Sequence, residues 1–358
     1  MKNKLKIIGL MSGTSLDGLD IAYVCFTFNT NNIKFELLNY ETVSYSDSIL
    51  SKLKVKNNLS LPEMLILDKE IGVFFGDKVN DFIEKNGIKK NEIDAIASHG
   101  QTILHQPENG FTFQIGCGST ISYKTGITVI NDFRTRDVIV GGQGAPLVPI
   151  GDFNLFSEFA DSFLNIGGFT NISFKQNNNI IAFDISPGNL PLNILANKLG
   201  YDYDSNGDFA RKGNVINDLL DRLNSITYYN TEGPKSLGTE WLDSEFIPII
   251  EEYESIFDAM RTITEHIAFQ IALILKKEQI KSIYITGGGA KNNFLIERIS
   301  HYYDGEIIIP TKEIIDFKEA IVFAFLGARY LRNEPTTIAS VTGAKQDICS
   351  GVLHIPGF

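Results

Sequence analysis

The chain has 358 residues, 43% apolar and 21% charged, a composition that fits a globular protein of two domains and excludes a disordered chain. Its net charge of −11 argues against a nucleic-acid-binding surface, which needs basic side chains. Cys25, Cys117 and Cys349 lie far apart and form no metal or disulfide pattern, and no apolar run approaches the roughly 20 residues of a membrane span. We therefore expect a reduced, cytoplasmic protein without nucleic-acid or membrane partners; the sequence leaves a homodimer open.

The first half of the chain begins with segments that predict an antiparallel sheet. Residues 6–11 form a buried strand pattern, 19–28 its hairpin partner and 33–45 a third strand. A helical apolar stripe covers 61–86, and strands over 93–102 and 126–133 follow, each ending in polar residues. This order predicts an α/β unit.

The second half repeats the same theme. Residues 161–174 predict a strand, a glycine-containing turn and a strand, and 179–185 predict a third strand. Helices are predicted near 189–199 and over 255–276, and 281–300 predicts a strand, a glycine turn and a helix.

The strand pattern restarts near 150–160, which predicts a domain boundary there. We expect one domain of residues 1–155 plus 335–358 and a second of residues 156–334. The C-terminal tail is expected to return to the first domain as an edge strand.

The turn "SGTSLDG" (12–18) between the first two strands is a candidate phosphate site. Glycine lets backbone approach a ligand closely, and the Ser and Thr hydroxyls suit phosphate oxygens. Asp17 can order a hydrated Mg²⁺. Because Gly, Ser and Asp also dominate ordinary turns, a plain hairpin turn is the alternative.

Two later turns are further candidates for nucleotide contact. "NIGGFTN" (165–171) offers Gly167, Gly168 and Asn171 in a second hairpin. "TGGGAKNN" (286–293) places three glycines between a strand and a helix, where a base or ribose can lie against bare backbone. A tight strand-to-helix turn is the alternative for the triple glycine.

Asp184 ends a strand in "FDISPGN", a position suited to a general base that acts on water or a hydroxyl. A turn or N-cap aspartate is the alternative. In the first half, polar residues at strand ends form a set suited to a polyhydroxylated or carboxylated ligand: His99 and Gln101 in "SHGQT", Asp132 and Arg134 in "NDFRTRD", and the loop "GGQGAPLVP" (141–149). His99 alone also fits a structural histidine.

Taken in order, these motifs resemble the anhydro-N-acetylmuramic acid kinase family of the sugar-kinase, Hsp70 and actin superfamily. The resemblance runs nearly end to end. It includes "GLMSGTSLDGLD", "SHGQT", "DFRTRD", "GGQGAPLVP", "NIGGFTNIS", "FDISPGN", "GPKSLGTEW", "TGGGAKN", "KEAIVFAFLGARYL" and "SVTGA".

The resemblance implies a fold of two ribonuclease-H-like α/β domains, as in actin-like ATPases, around a central cleft. It also implies an ATP- and Mg²⁺-dependent enzyme that opens the 1,6-anhydro ring of anhydro-N-acetylmuramic acid with water. Phosphorylation of O6 then gives N-acetylmuramic acid 6-phosphate, a step of peptidoglycan recycling.

The resemblance further implies roles for individual residues. Asp184 would be the catalytic base, and Asp17 and Asp184 would lie near the metal. The implied ATP-binding residues are Gly13, Thr14, Ser15, Leu16, Asp17, Gly18, Asp20, Gly167, Gly168, Asn171, Gly287, Gly288, Gly289 and Asn292. The implied sugar-binding residues are His99, Gln101, Asp132, Arg134, Gly144, Ala145, Pro146 and Glu319.

The chain departs from the family pattern in two places. Ile185 and Ser186 stand where relatives usually have Thr and Gly, which puts the rate or the detailed substrate in doubt. Residues 104–107 read Leu-His-Gln-Pro, where many relatives have Arg-His-Arg-Pro. Two alternatives therefore stay open: a kinase of another amino sugar in the same superfamily, and a catalytically weak nucleotide-binding regulator.

Overall fold

The computed structural model describes residues 2–13, 15–30, 32–177, 179–231 and 235–357. It divides into two compact units, Met1–Phe156 with Phe317–Phe358, and Ser157–Asp316. The helix that begins at Lys312 packs on the sheet of the first unit, where the ring of Phe325 lies 5.5 Å from that of Phe26.

The strands alternate with helices along the chain. In chain order, the strands are β1 (Lys4–Ser12), β2 (Leu19–Phe28), β3 (Ile33–Val43), β4 (Ala95–Gln106), β5 (Phe111–Ile115), β6 (Val129–Asn131), β7 (Ser162–Ile166), β8 (Phe169–Gln176), β9 (Asn179–Pro187), β10 (Ser282–Thr286), β11 (Glu306–Ile308) and β12 (Val352–His354).

The helices lie between and after these strands. They are α1 (Asp47–Lys54), α2 (Leu61–Lys85), α3 (Gly118–Thr125), α4 (Thr135–Ile139), α5 (Val148–Leu155), α6 (Asn189–Lys198), α7 (Asn217–Asn224), α8 (Thr239–Trp241), α9 (Ile247–Glu251), α10 (Ile256–Lys277), α11 (Asn293–Tyr302), α12 (Lys312–Leu331) and α13 (Ala339–Thr342).

The sheet of the first unit has the strand order β12-β6-β4-β1-β2-β3, with β5 paired to β4. β1, β2 and β3 are antiparallel neighbours, and β4 and β6 run parallel to β1 and to each other. α2 begins at a capping box in which Ser60 and Glu63 bond reciprocally, and its apolar stripe packs on one face of this sheet.

The sheet of the second unit has the order β11-β10-β7-β8-β9. β7, β8 and β9 are antiparallel neighbours, whereas β10 and β11 continue the sheet in parallel. α10 is buried along most of its length, since its Met260, Ile263 and Ile267 sit in the core of this unit. Each sheet therefore contains three antiparallel strands continued by two parallel ones, a 3-2-1-4-5 arrangement when these five strands are counted in chain order: β3-β2-β1-β4-β6 in the first unit, which adds β5 and β12 as antiparallel strands, and β9-β8-β7-β10-β11 in the second.

The predicted hairpins, the helices near 61–86, 189–199 and 255–276, and the strand–glycine turn–helix over 281–300 are confirmed. The expected return of the tail as an edge strand is also confirmed, because β12 pairs antiparallel with β6. Within the described ranges, no helix is long and apolar enough to cross a bilayer.

Candidate active site

The loop between β1 and β2 is a tight turn in the first unit. Leu16 has a φ of 61°, and its amide donates to the Gly13 carbonyl at 3.3 Å. Few non-glycine residues adopt this conformation, and those that do lie mostly in turns. The turn leaves Ser15 and Asp17 exposed, so it offers a hydroxyl and a carboxylate to a ligand. Thr14, which was predicted to be part of this site, lies outside the described residues.

The far end of this loop is fixed to β3. Gly18 is buried, and Asp20 Oδ1 accepts a hydrogen bond from Thr42 Oγ1 at 2.5 Å. These two predicted nucleotide-site residues therefore hold the second strand of the hairpin in place.

The near end of the loop is anchored by Ser12, which is 1% exposed. The Ser12 hydroxyl donates to Gln101 Oε1 and bonds the Tyr45 hydroxyl. Burial raises the pKa of Tyr45 to about 12, so its hydroxyl stays protonated and available as a donor. Gln101, predicted to contact a sugar, is fully buried beneath Ser12, where it supports the loop from inside.

His99 connects this loop to Arg134. Its Nδ1 lies 3.3 Å from the Ser12 carbonyl, and its Nε2 lies 3.2 Å from Arg134 Nε and 2.9 Å from Arg134 Nη2. Because a guanidinium can only donate, Nε2 is the acceptor and Nδ1–H donates to Ser12, which makes the ring neutral. Burial and the charge of Arg134 agree with this, since together they lower the pKa of His99 to about 3.

The Arg134 guanidinium is held in one orientation. Its Nη1 donates to the Gly144 carbonyl at 2.6 Å, and its Nη2 donates to His99 Nε2. Burial lowers the pKa of Arg134 to about 10, and Glu319 opposes that change, so the group remains charged at neutral pH. The structure thus brings His99, Arg134 and Gly144 together.

Asp137 anchors the loop that contains Gly144, Ala145 and Pro146, and it was not among the predicted site residues. Asp137 is fully buried; its Oδ2 accepts from the Gly144 amide at 2.8 Å and its Oδ1 from Thr342 Oγ1 at 2.9 Å. The Ala145–Pro146 peptide bond is cis. Asp137 belongs to the motif "DFRTRD" and Thr342 to the motif "SVTGA". The sequence shows both motifs, but only the fold shows that these two residues form a hydrogen bond.

Two other predicted sugar-site residues flank this group. Asp132 has a φ of 54° and its Oδ1 accepts from the Thr135 amide at 3.1 Å, so it caps the start of α4. Glu319 lies on α12 and is exposed to solvent, although the surrounding protein desolvates its carboxyl enough to raise its pKa; Arg134 opposes this rise.

In the second unit, the hairpin turn between β7 and β8 meets the end of β9. The amides of Gly188 and Asn189 donate to the carbonyls of Gly168 at 2.8 Å and Gly167 at 2.9 Å. A Cβ on Gly188 would lie 2.5 Å from the Gly167 oxygen, so only glycine allows this approach. These hydrogen bonds join the second predicted phosphate turn (165–171) to the loop that follows Asp184.

Asp184 lies on β9 opposite Asn171 of β8. Cross-strand partners project from the same face of a sheet, so the Asn171 side chain is a direct neighbour of the Asp184 carboxyl. Asp184 Oδ2 accepts from the Leu237 amide at 2.8 Å. Burial raises the pKa of Asp184, and this hydrogen bond partly offsets the rise. The result is a half-buried carboxylate of increased basicity.

The side chains that depart from the family pattern point away from this carboxyl. Ile185 is 2% exposed and lies in the apolar core of the second unit, and Ser186 is fully buried. Ser186 bonds Thr170 at 2.9 Å through its hydroxyl and at 3.0 Å through its amide. The interior therefore accommodates both side chains, and neither adds a group beside the Asp184 carboxyl.

The triple-glycine loop lies against the end of β7. A Cβ on Gly287 would lie 2.6 Å from Asn165 Oδ1, whereas one on the exposed Gly288 would meet Asn189 Nδ2 at an ordinary 3.6 Å. Gly289 is buried. The loop therefore packs on one side and leaves bare backbone open on the other, which suits a nucleoside.

Asn292, predicted to contact adenosine, has a structural role. Its Oδ1 accepts from the Leu295 amide at 3.0 Å and caps the N-terminus of α11. The predicted site residues thus form two groups: the loops around 12–20, 99–101, 132–146 and Glu319 in the first unit, and those around 167–171, 184–189 and 287–289 in the second.

Two sheets of order 3-2-1-4-5, with polar and glycine-containing turns at the ends of their central strands, define a two-domain α/β protein of the ribonuclease-H-like, actin-like ATPase class. The family model for anhydro-N-acetylmuramic acid kinase matches residues 5–356. The chain therefore belongs to the anhydro-N-acetylmuramic acid kinase family.

Curated relatives that carry this family name match along their whole length. The protein from Legionella pneumophila (strain Paris) is 37% identical over 367 residues, covering 97% of this chain and 97% of the relative. The protein from Bacillus cereus (strain 03BB102) is 34% identical over 378 residues, covering 98% and 99%. Among solved structures, the activator of the 2-hydroxyisocaproyl-CoA dehydratase from Clostridium difficile with bound ADPNP has a TM-score of 0.45 at 16% identity, covering 92% of this chain and 97% of that one.

Proposed function

We propose that this chain is an ATP-dependent kinase that opens the 1,6-anhydro ring of 1,6-anhydro-N-acetylmuramic acid with water and phosphorylates O6. The product is N-acetylmuramic acid 6-phosphate, and the reaction belongs to peptidoglycan recycling in the cytoplasm, where ATP is available. Family membership supports the activity. The observation that carries the mechanism is the half-buried Asp184 carboxylate, held through one oxygen by the Leu237 amide at 2.8 Å.

Asp184 acts as the general base. It takes a proton from a water molecule whose oxygen bonds to the anomeric carbon of the sugar, and the bond between that carbon and O6 breaks. O6 then attacks the γ-phosphorus of ATP, and ADP leaves. Burial raises the pKa of Asp184, which makes the carboxylate a stronger base than an exposed aspartate.

Each unit offers turns that suit an ATP ligand. In the first unit we assign phosphate contact to the loop that contains Gly13, Ser15 and Asp17, and in the second to the hairpin turn at Gly167 and Gly168. Its nucleoside would lie on the open face of Gly288. The small, exposed backbone of these turns supports the assignment.

Mg²⁺ would neutralise phosphate charge during transfer. Within the described ranges no group of three or more His, Cys, Asp or Glu side chains gathers to hold a metal. This fits Mg²⁺, which commonly binds through one or two carboxylates, water and substrate phosphates. We assign the exposed Asp17 and the catalytic Asp184 as the carboxylates near the ion.

The sugar would contact Arg134, Glu319, Asp132 and the loop of Gly144, Ala145 and Pro146. Arg134 is charged and fixed by two neighbours, so it is ready to bind the lactyl carboxylate of a muramic sugar. Neither the interior Ile185 nor Ser186 changes this surface, so no observation favours a different amino sugar.

The decisive experiment mixes purified protein, ATP, Mg²⁺ and the anhydro sugar in water enriched in ¹⁸O. We expect ADP together with a sugar phosphate that carries one ¹⁸O at the anomeric hydroxyl and none in the phosphate. Label in the phosphate would contradict the proposed order of bonds. Nucleotide binding without any turnover would overturn the function, and turnover of free N-acetylglucosamine alone would redirect it to another amino sugar.

A further inference from the structure

The motif "GPKSLGTEW" (233–241) is part of the family resemblance, but the proposed function gives it no role. It overlaps the stretch 228–237, of which the structure describes 228–231 and 235–237. We call these described residues the Asp184 brace, because Tyr228, Lys235 and Leu237 each form a hydrogen bond with Asp184.

β9 lies at the edge of the second sheet. Among the described residues, β8 is its neighbouring strand on one side and no strand pairs with its other side. At Asp184 the brace supplies partners instead: the Asp184 amide donates to the Lys235 carbonyl at 2.9 Å, and the Asp184 carbonyl accepts from the Tyr228 hydroxyl at 2.7 Å.

The register between β8 and β9 is also broken next to Asp184. Thr170 pairs with Ser186, but Asn171 pairs with Asp184, so Ile185 is an extra residue on β9. A bulge bends its strand and re-aims the neighbouring side chain. The brace therefore fixes a backbone whose regular ladder is interrupted beside the catalytic carboxyl.

Contacts of Lys235 hold the residues of the brace to one another. Lys235 Nζ donates to the carbonyls of Tyr228 at 2.9 Å and Thr231 at 3.1 Å, and it lies 4.2 Å from the centre of the Tyr228 ring. The next residue, Tyr229, bonds His266 of α10 at 2.8 Å. The brace is thus tied both to itself and to the core helix.

From these contacts we propose that Tyr228 and Lys235 are positioning residues that hold the Asp184 backbone and keep the Leu237 amide on its carboxylate. The inference rests on the proposed function for its kinetic consequence. Tyr228 and Lys235 are not assigned contacts with the substrate, because both act by holding Asp184 in place.

The main test compares Tyr228→Phe with Tyr303→Phe. Tyr228→Phe removes only the hydroxyl that bonds the Asp184 carbonyl, and we expect kcat to fall by about 10-fold with KM for ATP unchanged, since small misplacements of a catalytic group are costly. Tyr303→Phe removes a hydroxyl that likewise donates to a backbone carbonyl, that of Ile280 at 3.1 Å, but lies outside the brace, so it should keep the wild-type kcat.

Lys235 offers an independent test with rescue. Lys235→Met should lower kcat in the same direction, and Lys235→Arg should recover part of the loss because it restores a donor to the two carbonyls. If Tyr228→Phe and Lys235→Met reduce only thermal stability and leave kcat at wild type, the proposal is overturned.

A measurement that needs no turnover separates this proposal from the proposed function. Exchange of the Asp184 and Leu237 amide protons with solvent can be followed by ¹⁵N NMR, because both amides donate to partners that the brace holds. We expect both amides to exchange faster in Tyr228→Phe and at the wild-type rate in Tyr303→Phe. A wild-type protein without kinase activity would overturn the function alone, whereas exchange rates that Tyr228→Phe leaves unchanged would overturn the brace.

Discussion

At the scale of single residues, Asp184→Asn gives the sharpest prediction. The substitution keeps a side-chain oxygen that can accept from the Leu237 amide but removes the proposed base. Turnover should fall by at least about 100-fold, while ATP affinity stays near wild type, because in the proposed mechanism the side chain takes a proton from water. Single-turnover kinetics and nucleotide titration measure the two quantities, and a variant that keeps most of its rate would show that another group is the base.

The same variant should unfold at a higher temperature than the wild type. Burial raises the pKa of Asp184 above its value in the unfolded chain. The folded state therefore binds the proton more tightly, and stability falls as pH rises through the window between the two pKa values. Asn removes this cost at neutral pH. The exposed Asp202→Asn is a suitable control for thermal unfolding at pH 7, and it should shift the transition little.

At the scale of elements, the contact between α13 and the buried Asp137 controls the loop of Gly144. Thr342→Val removes the hydroxyl that donates to Asp137 Oδ1 at 2.9 Å. Leaving one buried carboxylate oxygen without this donor should cost about 1–3 kcal/mol of unfolding free energy. Because the loop lies in the proposed sugar site, KM for the sugar should rise more than KM for ATP.

Chemical denaturation and steady-state kinetics with each substrate varied in turn check this prediction. The exposed Thr30→Val in the same unit is the matched control. Equal increases in both KM values would mean that Thr342 stabilises the unit as a whole without a particular effect on the loop.

Elements with strong periodicity were predictable from sequence, and the contacts that connect them were not. The hairpins, α2 and α10 follow directly from apolar spacing. In contrast, His99 and Gln101 were expected to face a ligand, and the fold buries both beneath Ser12. Nothing local in the sequence shows that Asp137 meets Thr342 or that Tyr228 meets Asp184, because these pairs depend on distant segments folding together.

At the scale of the whole molecule, each unit contains one buried neutral imidazole. Burial, aided by Arg134, lowers the pKa of His99 to about 3, and burial alone lowers that of His266 to about 3. An unfolded histidine takes up a proton near pH 6.5. The stabilisation that these two groups provide is therefore full above about pH 6.5 and is lost progressively as pH falls towards about 3.

Two extra protons bound by the unfolded chain correspond to a slope of up to about 2.7 kcal/mol per pH unit from these groups. Urea unfolding at pH 7, 6 and 5 measures this slope. His266→Gln, which removes one of the two imidazoles, should make the slope shallower. Equal stability of the wild type at pH 7 and pH 5 would contradict the prediction.

The chain path has a consequence for biosynthesis. The second unit is one continuous stretch, Ser157–Asp316, whereas the first needs both Met1–Phe156 and Phe317–Phe358. Domains fold as units while the ribosome is still adding residues. The later stretch can therefore reach its native state first, whereas the earlier one must wait, with the faces that α12 and β12 will cover still exposed, until both have emerged. During that interval the N-terminal half is the part of the nascent polypeptide that most needs a chaperone.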